Sequence, residues 1–307
     1  MEPFPLSSTL YPFQYATGFP RWKSSLSVIE RYPETMTLAA IDWTVNPEIF
    51  SLGPIHFRWY GLLFATGFFL GFLMTQKVFQ RENEPEKLLD SLLFLMIGGT
   101  IIGARFGHVF FYNWDYYSQN LGEIIQIQKG GLASHGAAVG LFLAFVIYRK
   151  FFSKRSVLWT TDRLAMSVAL GGFFIRMGNL MNHEIVGLKA DLAWAFKFHF
   201  YEEVPVPRHP VQLYEAFSYL AIFGLLFFLY WKTDARKYKG MLTGLFGILV
   251  FGVRIVMENF KTSQGGFETN FESNFGVFLS TGQWLSIPLV LFGIGLVAYS
   301  LKHKSED

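Results

Sequence analysis

Seven stretches of this chain are apolar over about the length needed to cross a bilayer, and that repetition limits the fold more than any other feature. They cover roughly residues 54–76, 89–112, 131–149, 163–182, 212–231, 240–259 and 282–301. About 20 such residues in a helix cover the ~30 Å hydrocarbon core. Lipid offers no partner to a free backbone amide, so segments of this length are expected as helices. The third and fourth carry more polar residues than the rest. Composition agrees. Of 307 residues 51% are hydrophobic and 16% charged, where soluble domains carry about 25% charge. The expected fold is all-α, a polytopic membrane protein with seven transmembrane helices and a periplasmic interfacial segment. The helical domain covers 46–301, after an extension and lead-in at 1–45 and before a cytoplasmic tail at 302–307.

The first 45 residues are polar, aromatic and dotted with proline, without the unbroken apolar run of a secretory signal. Met36 is expected to be a sufficient start. Small residues recur every fourth place at Gly67 and Gly71, at Gly99, Gly103 and Gly107, and at Gly136 and Gly140. That spacing lets helix backbones approach closely and is a packing signal only.

The loops alternate in charge. Lys77, Arg81 and Lys87 follow the first segment. Arg149, Lys150, Lys154, Arg155 and Arg163 follow the third, and Lys232, Arg236, Lys237 and Lys239 the fifth, with Lys302 and Lys304 in the tail. The other loops offer little more than Lys129 and Lys261. Basic loops stay in the cytoplasm, which places the N-terminus outside and the C-terminus inside. The 183–211 loop then lies outside, with Trp194, Phe196, Phe198, Phe200 and Tyr201 expected to rest at the interface.

Several polar residues do not belong in lipid, and with this topology they gather at one end of the helices. Arg176, Asn179 and His183 follow 3,4 spacing and would share a helix face, flanked by Asn182 and Glu184. Tyr60 enters the first helix. Arg105 and His108 lie near the end of the second, and His135 opens the third between glycines. Arg208, His209, Gln212 and Glu215 lead into the fifth, and Arg254 and Glu258 close the sixth. A buried arginine needs a partner or a wet cavity, so the reading is an anion site open to the outer leaflet. Glu184, Glu215 and Arg105 read as groups that orient and neutralise others. His108, His135, His183 and His209 lack ligand spacing, and no phosphate-cradling glycine loop occurs, so neither metal nor cofactor is expected. With no cysteine, any thiol chemistry must use a thiol of the substrate.

At these residues the chain resembles the bacterial prolipoprotein diacylglyceryl transferases. The matching stretches are Trp59-Tyr60-Gly61, Gly103-Ala104-Arg105 with Phe111-Tyr112-Asn113, Gly131 to Gly136, and Arg176 to Asn182. Others are Glu184, Gly187, Arg208-His209-Pro210 with Gln212 to Glu215, Arg254 to Glu258, and Gly282-Gln283 to Pro288. They run in family order over roughly 45–301. The resemblance implies a seven-helix enzyme of the inner membrane. It would move diacylglycerol from phosphatidylglycerol to the lipobox cysteine of a preprolipoprotein and release glycerol 1-phosphate, with no nucleic-acid partner. Its functional residues fall on Tyr60, His135, Arg176, Asn179, Gly187 and Arg254. The chain departs from the family at Ala104, Ala137, Ala138, Ile175 and His183, where relatives often have glycine.

The residues suit that chemistry. His135 is the candidate base for the thiol, with Arg254 and Tyr60 beside it as catalytic candidates. Arg176, Asn179, Asn182, Glu184, Gly187, Arg105 and Glu258 are the candidates for binding the lipid substrate. The rival is a lipid transporter or flippase relaying charge through buried Arg, His and Glu. It would be expected to show inverted repeats or broken helices, and the chain shows no repeat.

Overall fold

The computed structural model describes residues 40–127, 130–262 and 279–303. Its helices are α1 (Trp59–Arg81), α2 (Glu86–Phe111), a single turn α3 (Trp114–Tyr117), α4 (Ser134–Phe151), α5 (Val157–Met181), α6 (Val211–Lys232), α7 (Met241–Met257) and α8 (Thr281–Lys302). Six of them, α1, α2, α5, α6, α7 and α8, are long and apolar enough to cross a membrane. The remaining expected segment forms α4, which has 18 residues and is bounded by His135 and by Arg149 and Lys150. Its polar ends leave it outside that set. Much of the helical surface is exposed hydrocarbon, with Phe94 at 76%, Val139 at 61% and Leu291 at 62% accessibility. That pattern fits a polytopic membrane protein whose solvent is lipid.

The first helix was expected from residue 54 and begins at Trp59. The preceding residues form a hairpin, β2 (Glu48–Leu52) antiparallel to β3 (Ile55–Arg58). Gly53, at φ +58, supplies the turn, and Pro54 keeps a helix from starting there.

The 183–211 segment also does more than rest on an interface. Its strand β4 (Phe196–Phe198) pairs in parallel with β1 (Ile41–Trp43) and antiparallel with β5 (Pro207–Arg208). Phe196 and Phe198 pack with Leu180 and Val186 into a small core that Trp43, Met177 and Leu213 close. Trp194, Phe200 and Tyr201 remain exposed. The strand spans only Phe196–Phe198 and turns both rings to one face, whereas Trp194, Phe200 and Tyr201 lie in the turns on either side of it. The last residues of the expected lead-in therefore belong to the folded body.

Glycines bring the helices together. Gly103 faces the carbonyl of Gly136, Gly99 that of Gly140, and Gly107 the Cα of Gly136, so α2 and α4 touch backbone to backbone. Gly244 and Gly293 do the same for α7 and α8. At the end carrying the basic loops, Asp162 of α5 is fully buried and caps α7. It accepts from Gly240 N at 2.6 Å, Thr243 N at 2.8 Å and Thr243 Oγ1 at 2.7 Å. Nearby, Glu82 accepts from Arg163 at 3.0 Å and from the Tyr230 hydroxyl at 2.9 Å. These bonds fix one end of the bundle and leave the other to the polar residues of interest.

The backbone contact between α2 and α4 predicts that Gly103→Leu destabilises the protein by about 1–3 kcal/mol or prevents α4 from docking. Gly98→Ala, where a Cβ meets nothing within 4 Å, is the control and should melt like the wild type in detergent. Equal melting of both variants would remove the glycine stripe from the account.

Candidate active site

The centre of the site is a carboxylate without access to solvent. Pro210 starts α6, and within its first turns Gln212 and Glu215, three residues apart, lie on the face turned into the bundle, both at 0% exposure. Arg176 of α5 approaches Glu215 Oε2 through Nε at 2.8 Å. Lys261, just past α7, approaches Glu215 Oε1 through Nζ at 2.9 Å. The same ammonium lies 3.0 Å from Glu258 Oε1, and Arg254 Nε lies 3.9 Å from that oxygen. Ser280 Oγ, at the start of α8, donates to Glu258 Oε2 at 3.0 Å. Gly282 fits against the carboxylate, where any Cβ would collide with it.

The result is an alternating row, Arg176–Glu215–Lys261–Glu258–Arg254, drawn from α5, α6 and the end of α7. Three cations against two carboxylates leave a surplus of one positive charge. The surplus is best assigned to Arg254. Its side chain is 37% exposed, it touches Glu258 only at ion-pair range, and its Nε makes no hydrogen bond among the described residues.

A branch of amides leading to the Glu184 carboxylate leaves Arg176. Its Nη1 donates to Asn179 Oδ1 at 3.2 Å, and Asn179 Nδ2 donates to Glu184 Oε2 at 3.1 Å. Asn182 Nδ2 donates to Glu184 Oε1 at 2.8 Å, and Gln212 Nε2 to the Glu184 carbonyl at 2.6 Å. Glu184 is exposed and faces the amides, not a cation. Tyr60 packs against α5, where its ring occupies the space that a side chain at Gly178 would need. Gly187 pairs with Lys261 as a β-bridge and donates to the His209 carbonyl at 3.1 Å. A Cβ there would run into His209 and Val211, so glycine permits this segment to lie against the start of α6.

Two other expected residues belong to a second group. Arg105 is buried, and its guanidinium is spent on backbone carbonyls. It donates to Glu123 O at 2.6 Å, Ile124 O at 2.7 Å, Gly130 O at 2.6 Å and Gly131 O at 3.2 Å. This geometry secures the loop leading to α4 and leaves few donors for a ligand. His135, in the first turn of α4, is exposed. It stands at one end of an apolar groove of about 850 Å³ between α2 and α4, lined by Phe106, Phe110, Tyr112, Val139 and Leu143 among others. No contact among the described residues joins His135 to the ionic row.

His183 does not share the Arg176 and Asn179 face. Helix α5 ends at Met181, Asn182 caps it, and His183 turns away at φ +55. Its Nε2 sits 2.8 Å from Val45 O, and the Phe200 amide donates to Nδ1 at 3.4 Å. Those bonds fit the neutral ring, and burial pushes its pKa down. Arg208 is likewise spent, paired through two nitrogens with Glu202 at 3.0 and 2.9 Å. That guanidinium holds the Glu202 carboxyl below the usual range.

Lys261 is the residue that sequence reasoning passed over, read only as a loop charge. Its signal was available: Arg254, Glu258 and Lys261 are spaced 4 and 3 with alternating sign, the pattern of a charged helix face.

Comparison with known proteins bears on this arrangement. The family model for prolipoprotein diacylglyceryl transferase matches residues 47–299. Proteins named phosphatidylglycerol–prolipoprotein diacylglyceryl transferase are similar over nearly their whole length. The one from Chloroherpeton thalassium is 44% identical, covering 88% of this chain and 98% of its own. That of Tolumonas auensis is 45% identical over 86% and 99%, and that of Porphyromonas gingivalis 40% over 87% and 98%. The apolar helices and these relatives make the protein a multi-pass protein of the bacterial inner membrane. All the residues of both groups fall inside the matched span, and the chain belongs to the prolipoprotein diacylglyceryl transferase family.

Proposed function

We propose that this protein transfers the diacylglyceryl group of phosphatidylglycerol to the lipobox cysteine thiol of a preprolipoprotein. The observation that carries the reading is the surplus cation of the ionic row. Arg254 is half-exposed and lacks a hydrogen-bonded partner among the described residues, at membrane depth, where an uncompensated charge is costly. A phosphodiester supplies the missing anion, and Arg176, fixed by Glu215, meets it from another helix.

In the reaction the thiol sulfur attacks the glyceryl carbon that carries the phosphate. The C–S bond forms, the C–O bond breaks, and the electron pair leaves on phosphate oxygen as glycerol 1-phosphate. The thiol proton passes to His135 and then to water. Charge grows on the phosphate oxygens as the bond breaks, and Arg176 and Arg254 stabilise it there. Asn179 and Tyr60 add neutral donors. Glu258 restrains Arg254, while Glu184 and Asn182 hold Asn179 in place. Gly187 seats the loop over the site, and Arg105 fixes the entry to α4 and so the base. The basic loops face the cytoplasm, so the reaction runs at the outer leaflet.

Purified protein with labelled phosphatidylglycerol and a lipobox peptide should yield a thioether-linked peptide and glycerol 1-phosphate. Phospholipid transport without either product would refute the assignment. His135→Asn should lower turnover by about 10²–10⁴-fold, the usual range for a general base. Near-normal turnover would remove His135 from the mechanism. Arg176→Lys and Arg254→Lys keep charge and lose the planar fork. Each should reduce transfer by roughly one to two decades, with the alanine variants at least as impaired. Lysine variants as active as wild type would show that fork geometry is irrelevant. For topology, an impermeant thiol reagent applied outside should label Glu203→Cys and spare Lys154→Cys. The reverse pattern would invert the orientation.

A further inference from the structure

We propose that Lys261 is a positioning residue: its ammonium group engages Glu215 and Glu258 together and so keeps the two arginines available to the substrate phosphate. The inference rests on the phosphate role given above to Arg176 and Arg254. It starts from how oxygens are shared. Glu215 divides its carboxylate, Oε2 to Arg176 at 2.8 Å and Oε1 to Lys261 at 2.9 Å. Glu258 gives Oε1 to Lys261 at 3.0 Å and Oε2 to Ser280 at 3.0 Å. Arg254 is left 3.9 Å from the same Oε1, beyond hydrogen-bond reach. Lys261 and Ser280 thus take the lone pairs that Arg254 would otherwise occupy.

The lysine is built in. Its side chain is 6% exposed, and its backbone is pinned by the bridge to Gly187 and by its own amide donating to Glu258 O at 3.3 Å. A compact ammonium with three donors can touch two carboxylates from different elements at once. Without it, two arginines and two carboxylates balance to zero. Glu258 Oε1 would be free, and a movement of about 1 Å would give Arg254 a charge-assisted hydrogen bond. The substrate would then compete with an internal anion for the clamp. Loss of Lys261 should therefore weaken binding of phosphatidylglycerol more than it slows the bound complex.

The test uses full-length protein in detergent, with dihexanoyl phosphatidylglycerol affinity from calorimetry, KM and kcat from transfer to a lipobox peptide, and a melting curve. Lys261→Met should raise Kd and KM by roughly tenfold or more, with kcat within about threefold of wild type, the signature of lost ground-state binding. Lys261→Arg keeps the charge and should fall nearer to wild type than Lys261→Met does. Adding Glu258→Gln to Lys261→Met restores the surplus of one cation and removes the competing carboxylate, so the double variant should regain affinity to within about threefold of wild type. A folded Lys261→Met with wild-type Kd and KM would overturn the proposal. So would a loss confined to melting temperature and kcat, the mark of a purely structural lysine. Should Lys261→Met fail to fold, the charge-balanced double variant decides the matter, and weak binding by that folded protein would overturn it. Wild-type protein that binds the lipid but transfers nothing would refute the reaction and leave the Lys261 result standing.

Discussion

Glu215 is the anion on which the site depends. A carboxylate with no exposure is tolerable only if its charge is matched nearby, and removing one partner of such a group typically costs several kcal/mol. Here the match comes from Arg176 on one side and Lys261 on the other. That requirement forces α5, α6 and the chain beyond α7 to meet at one point. Gly187 against His209, Gly282 against Glu258 and Gly178 against Tyr60 are close approaches where a Cβ would collide. The row cannot be balanced within itself, since it has an odd number of members and a cation at each end. On the proposed reading, ligand binding and local folding are two uses of the same electrostatic arrangement.

Charged groups in this protein fall into two kinds, and the contacts distinguish them. Arg105, Arg163 and Arg208 are all at least 90% buried. Arg105 is spent on four loop carbonyls and Arg208 on Glu202 and the Gly187 carbonyl, while Arg163 binds Glu82 and the Arg236 carbonyl through Nη2 and lies over the Trp159 ring, its Nε and Nη1 without a hydrogen bond among the described residues. They fasten loops and helix ends. Arg254 has the same chemistry and is left with one long ion pair. Its position in an apolar helix is therefore not explained by a close internal partner among the described residues, which supports the substrate role proposed for it. An arginine in a membrane protein is a functional candidate by default, but that default separates none of these four. Exposure and pairing distance do: Arg254 is 37% exposed with its carboxylate 3.9 Å away, whereas the other three are buried and hold a partner at 3.0 Å or less.

Much of this could be read in the sequence. Apolar segments of bilayer length located the helices, and the small-residue spacing located the contact of α2 with α4. Arg176, Asn179, Asn182, Glu184, Glu215, Arg254 and Glu258 were marked because polar residues in apolar stretches require an explanation, and they do meet. What escaped has a common cause. His183 was placed on the Arg176 face by counting along a helix that ends two residues earlier. Lys261 lay outside any apolar segment, so a lysine there cost nothing and drew no notice until the fold buried it. The hairpin and the strand pairing of residues 41–43 with 196–198 are short and long-range, and local pattern carries little trace of such pairings. Asp162 belongs to no local pattern, yet it caps a helix that starts 79 residues later.

The two groups of candidate residues raise a question of geometry that the proposed chemistry answers. The ionic row lies among α5, α6 and α7, whereas His135 stands at the α2–α4 groove. A base for the thiol need not touch the phosphate. The nucleophile attacks one side of the glyceryl carbon while the phosphate leaves from the other, so acceptor and clamp belong on opposite sides of the reacting carbon. The reacting carbon is joined to phosphorus through a single oxygen, so the proposed mechanism requires the lipid headgroup to lie between the arginines and His135. The groove beside His135 is apolar along α2 and α4, which suits hydrocarbon and keeps water from competing with the thiolate. On this view phosphate-binding and proton-accepting residues stand on different sides of the substrate because displacement is in line.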